Sequence, residues 1–131
     1  MPNQRVQTVM MADESGAELV AFAQQTADAL VNQNLTRSQI RTIFTEVRQI
    51  EAMWDKATGK SEAVRRLSML KPKLAYQAAR SNTVNLLRDV LSDAIDEVIK
   101  APANNQDDRF ARFVELFEAI LAYHRAKGGR N

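Results

Sequence analysis

The sequence has no cysteine, one histidine, 4 glycines and 3 prolines in 131 residues. Each shortage closes off a class of protein. Without cysteine there is no disulfide scaffold and no thiolate metal site, and a lone histidine leaves too few nitrogen ligands for zinc. The glycines stand at positions 16, 59, 128 and 129. Phosphate-loop and dinucleotide fingerprints need glycines clustered between a strand and a helix, so neither fingerprint is present. No apolar run approaches the roughly 18–20 residues of a membrane span. The opening stretch MPNQRVQTVMMADESG lacks the apolar centre of a secretory signal. The expectation is a cytoplasmic protein with no cofactor, no metal, no membrane partner and no small-molecule substrate.

What is present is an ordinary globular balance, 45% apolar and 26% charged, enough for one core without metal or disulfide support. Residues 1–13 read as a flexible tail, with Met11 as an alternative start, and 14–131 as a single domain. Apolar residues recur at spacings of three and four rather than two, which predicts an all-α fold, a compact bundle of about five helices. Helix one is expected over about 14–33. Helix two opens on the capping box of Thr36 and Gln39, with Leu35 and Ile40 as its hydrophobic staple. Its inward face is Ile40, Ile43, Phe44, Val47, Ile50 and Trp54. Helix three starts near Ser61 and meets Pro72, which lacks a donor and crowds the preceding turn. A kink or a restart over 72–81 is expected there. Helix four spans about 83–100. Helix five spans about 107–127, with Asp107 and Asp108 at its positive end and Gly128 and Gly129 stopping it.

A search for catalytic chemistry finds little. Nucleophilic catalysis needs a serine or cysteine beside a base and an orienting group. The one histidine, His124, falls in the last turn of helix five, where a protonated ring suits the helix dipole without further purpose. Asp89, Asp93, Asp96 and Glu97 are spaced as a solvated helix face rather than as metal ligands or an acid–base pair. The protein is expected not to be an enzyme.

The basic residues are better organised. The net charge is only +2, but it is unevenly spread. Residues 1–36 carry Arg5 against Asp13, Glu14, Glu18 and Asp28, a net of −3. Residues 60–80 carry six cations against Glu62, a net of +5. Arg66, Lys73 and Arg80 are seven apart and lie within about 40° of one another at 100° per residue. Tyr76 falls beside them. Arg37, Arg41 and Arg48 form a similar row on helix two. Two such rows flanking packed faces could track a sugar–phosphate backbone, or they could simply keep the bundle soluble. No aromatic platform at base spacing accompanies them, which argues against sequence-specific stacking. A protein-only helical adaptor without RNA contact is the alternative. A DNA-binding module would need a recognition helix in helix-turn-helix spacing, which the sequence lacks.

Three segments resemble the small subunit of the type III-A CRISPR Csm complex: Leu-Thr-Arg-Ser-Gln-Ile-Arg (35–41), Leu-Lys-Pro-Lys-Leu-Ala-Tyr-Gln-Ala-Ala-Arg (70–80) and Phe-Glu-Ala-Ile-Leu-Ala-Tyr-His-Arg (117–125). They occur in that family's order, and the resemblance covers about residues 14–129. The middle segment is the most specific. One departure is Ala79, where many members have a glycine before the arginine. The resemblance implies a five-helix subunit with no active site of its own. It would stack in several copies beside the backbone subunits that hold the guide RNA, near the large subunit, and touch the target RNA backbone without reading sequence. Carried over residue by residue, it makes Arg41, Lys71, Lys73 and Arg80 RNA-binding positions. Arg48 and Arg125 are added from the helical wheel and from helix-end charge. Tyr76 and Tyr123 also match motif positions, as packing or capping residues. A subunit that accepts any target should read phosphates and leave sequence to base pairing. Stacked copies would add avidity to a weak single contact.

Overall fold

The turn between the first two long helices shows how local chemistry sets the architecture. In the computed structural model, which describes residues 4–56 and 59–129, helix α2 (Ala17–Asn32) ends on Asn34, whose φ of 68° is left-handed. Asn34 N–H donates to Val31 O and Leu35 N–H to Leu30 O, both at 3.0 Å. This is a Schellman closure with asparagine at the left-handed position. Leu35 then serves two helices. It is buried beside Leu30 at the end of α2 and it precedes the N-cap of α3 (Arg37–Trp54), where it staples Ile40; all three side chains are fully buried. The expected capping box forms: Thr36 Oγ1 accepts from Gln39 N–H at 3.1 Å and Gln39 Oε1 from Thr36 N–H at 2.9 Å.

Three further long helices complete the bundle, α4 (Lys60–Arg80), α5 (Asn85–Ile99) and α6 (Ala103–Ala126), with a 3-10 turn at Asn82–Val84. A short helix α1 (Gln4–Met11) precedes them. Among the described residues there are thus six α-helices and no strand, an all-α bundle as expected, with one more helix than the sequence suggested. Helix α3 packs between α4 and α6, α5 lies against α4 and α6, and α2 runs along α6. Two aromatic pairs tie α3 to α6. Trp54 stacks on Phe110 at 4.0 Å and 6°, and Phe44 meets Phe117 edge-on at 5.0 Å and 81°.

Four local expectations differ from what is seen. Over Gln4–Met11 the expected flexible tail is a helix whose Val6, Val9 and Met10 are buried; Arg112 holds it down by donating to Val9 O at 3.1 Å and Asp13 O at 2.7 Å. Pro72 does not restart the helix; α4 continues through it. The proline faces solvent, and its ring nitrogen has no hydrogen to donate to the Ser68 carbonyl. Helix α6 begins at Ala103, four residues early, after Pro102 has set the entry. Asp107 therefore stands in the second turn rather than at the positive end. Its carboxylate instead accepts from Trp54 Nε1 at 2.9 Å and pairs with Lys60 Nζ at 2.7 Å. Finally, His124 does fall in the last turn of α6, but its ring is fully buried rather than simply serving the helix end. No described helix is long and apolar enough to cross a membrane.

Candidate nucleic-acid interface

The chain runs up and down, so one end of the bundle gathers the end of α2, the start of α3, the end of α4, the start of α5 and the end of α6. Two polar knots fix this end. Gln39, beyond its capping role, donates from Nε2 to Ser81 Oγ at 3.2 Å and accepts from Thr83 Oγ1 at 3.2 Å, joining α3 to the α4–α5 turn. His124 Nε2 meets Leu35 O at 2.8 Å, joining α6 to the α2–α3 turn.

Charge segregates with this topology. The segments meeting at this end, 29–45, 75–88 and 119–129, contain none of the chain's 16 acidic residues. They carry Arg37, Arg41, Arg80, Arg88, Arg125 and Lys127. Carboxylates crowd the other half. Between α3 and α6 a cleft of about 560 Å³ is lined by Glu51, Asp55, Asp107, Glu115 and Glu118, with Lys56 and Lys60.

The sequence-predicted cations divide along the same lines. Three are engaged by carboxylates in three different seams. Arg48 bridges to Glu51 at 2.7 Å and Glu118 at 3.7 Å on the α6 side of α3. Lys71 pairs with Asp96 of α5 at 2.6 Å. Lys73 pairs at 3.0 Å with Glu46 on the α4 side of α3, and shares it with Arg66, also at 3.0 Å. The other three, Arg41, Arg80 and Arg125, are exposed and have no ion pair among the described residues. All three belong to the acid-free end. Arg80 lies over the Tyr76 ring at 5.7 Å, which holds the guanidinium without neutralising it. The helical rows therefore do not form one track: Arg66 and Lys73 are drawn into the α3–α4 seam and Arg48 into the α3–α6 seam. Sequence reasoning passed over Arg37 and Lys127 as site residues. Arg37 Nε is buried without a partner. The signal for both was the acid-free run around them.

Glu46 is the main restraint on Lys73. The Lys73 ammonium, and behind it the Arg66 guanidinium, hold the Glu46 carboxyl below its ordinary value of 4.5 against the opposing effect of burial. A lowered carboxylate contributes stability above the unfolded-state value, and that stability is lost as pH falls through the folded-state value. Glu46→Gln is accordingly expected to lower unfolding free energy by about 1 kcal/mol at neutral pH, as for a half-exposed pair. The gap should close below pH 4.5, which urea titrations of both proteins across pH would show.

The family model described as Csm2 Type III-A matches residues 13–130. The chain belongs to that family. It is a type III-A CRISPR effector small subunit, a component that associates with the other Csm subunits. Neither curated proteins nor solved structures gave a significant match. The family match begins at residue 13, so α1, over Gln4–Met11, precedes it. The whole acid-free end, from α2 to Gly129, lies inside it.

Proposed function

We propose that this Csm2-family chain is a non-catalytic, cytoplasmic subunit that grips the target RNA of the guide–target duplex through its acid-free end. It does so on the sugar–phosphate backbone, without sequence preference, and it stacks in several copies alongside the backbone and large subunits. One observation carries the reading: Arg41, Arg80 and Arg125, on three different helices, stand exposed at one end of the bundle with no ion pair among the described residues. Guanidinium groups there can meet successive phosphates, and with no aromatic base platform the letters go unread. Lys73 joins the contact by exchanging Glu46 for phosphate. Lys71 and Arg48 have the same option against Asp96 and Glu51, at the cost of an existing pair.

Binding of an oligouridylate and of a mixed-sequence RNA of equal length should be weak and equal. The logarithm of affinity should fall linearly with the logarithm of salt, by about 0.7 for each single-strand phosphate contacted. Affinity that is flat in salt, or that differs strongly between the two RNAs, would contradict backbone binding. It would favour a protein-only adaptor.

A further inference from the structure

The most deeply placed polar side chain at the acid-free end is His124, and nothing in backbone binding itself calls for a histidine in the core. It is fully buried. A carbonyl can only accept, so the 2.8 Å contact with Leu35 O requires the proton on Nε2. Nδ1 is buried and has no hydrogen-bond partner among the described residues. A leucine would fill the same volume without that orphan atom, but it would leave the Leu35 carbonyl unserved.

The end of α6 is shaped around this ring. Gly128 N–H donates to Arg125 O at 3.0 Å and Gly129 N–H to His124 O at 2.9 Å, a second Schellman closure. Gly128 has the left-handed φ of 88° that the motif requires. Gly129 is there for a different reason: a Cβ on it would lie 2.1 Å from His124 Cε1 and 2.3 Å from Nδ1. No side chain at residue 129 fits beside the imidazole.

The tie has a geometric consequence. Leu35 is two residues before Arg37 and six before Arg41, and Arg125 directly follows His124. Fixing the His124–Leu35 contact therefore fixes the spacing between the cations of α3 and that of α6. We infer that His124 is a positioning residue for the RNA contact, setting the distance between Arg125 and the α3 arginines through the Leu35 carbonyl. The inference rests on the proposed backbone binding at this end.

The test uses the full-length chain and a fluorescent oligouridylate. Glutamine carries an amide N–H at the reach of Nε2, and asparagine falls one bond short. His124→Gln should bind as the wild type does. His124→Asn and His124→Leu should bind about tenfold more weakly, with a salt slope shallower by about 0.7, the amount due to a single phosphate. Val114→Ala, a buried position on α6 away from this end, should lower the melting temperature but leave affinity unchanged. That separates positioning from stability. If His124→Leu does not fold, the Asn–Gln pair decides. Equal affinities for those two variants, or a loss no larger than that of Val114→Ala, overturns the inference. Arg41→Glu with Arg80→Glu runs in parallel. If that pair binds RNA normally, backbone binding at this end falls, and the positioning role with it. If it fails to bind while His124→Asn binds normally, only the positioning role falls.

Discussion

Replacing Arg41 and Arg80 together by glutamate is expected to abolish RNA retention while leaving the helical content intact. The two side chains are exposed and have no ion pair among the described residues, so little in the fold depends on their charge beyond the contact of Arg80 with the exposed Tyr76 ring and its place in the last turn of α4. Each reversal removes one cation from the phosphates and sets a like charge against them. A contact in a backbone-binding interface is worth roughly a factor of ten in affinity, and a reversal more than its simple removal. The pair should therefore cost at least about a hundredfold. Electrophoretic retention of labelled RNA by the variant, alone and in the assembled complex, checks this, with circular dichroism as the control for folding. The corresponding double change at Lys71 and Lys73 should cost less, because both lysines already hold a carboxylate, Asp96 at 2.6 Å and Glu46 at 3.0 Å. If the order of the two double variants is reversed, the site lies along α4 rather than at the end of the bundle.

The largest effect on stability is expected at Phe117. Its ring is fully buried and stands edge-on to Phe44 at the junction of α3 and α6. Phe117→Ala removes that ring from a packed interior and leaves a cavity that the surrounding helices cannot close. Such substitutions cost about 3–5 kcal/mol, against a total of about 5–15 for a domain of ordinary stability. The variant should unfold at a much lower urea concentration than the wild type, or fail to accumulate as a folded protein. An unchanged urea midpoint would mean that α3 and α6 do not pack through this pair. The Trp54–Phe110 stack at the other end of the same seam offers a milder comparison, because Trp54 also keeps its hydrogen bond to Asp107.

The all-α fold, the long helices and the α3 cap were legible in the sequence because their causes are local. The 3.6-residue recurrence of apolar positions and the Thr36–Gln39 reciprocity need no knowledge of the rest of the chain. What escaped needed partners distant in sequence. Residues 4–11 are too short and polar to read as a helix alone, and they are held by Arg112, some hundred positions away. His124 read as a ring that merely suits the helix dipole because Leu35, 89 residues earlier, is invisible to a helical wheel. Asp107 read as a charge at the positive end of its helix because its partners, Trp54 and Lys60, belong to other parts of the fold.

The candidate site divides in the same way. A wheel places Arg66, Lys73 and Arg80 on one stripe and is right about direction. It cannot show that Glu46 of a neighbouring helix takes up Arg66 and Lys73 and leaves Arg80 open. Segment net charge pointed to 60–80, yet much of that excess is balanced across helix seams. The more telling feature was distributed: three separated stretches without a single acid, which only the antiparallel connectivity brings together.

That separation of charge gives the molecule an electric axis. A polyanion at a distance exerts a torque on such a body as well as a pull, turning the arginine-bearing pole forward before any contact is made. Capture would then begin in the right orientation, and its speed, more than its final strength, would decay once salt shortens the reach of the field to a few ångströms.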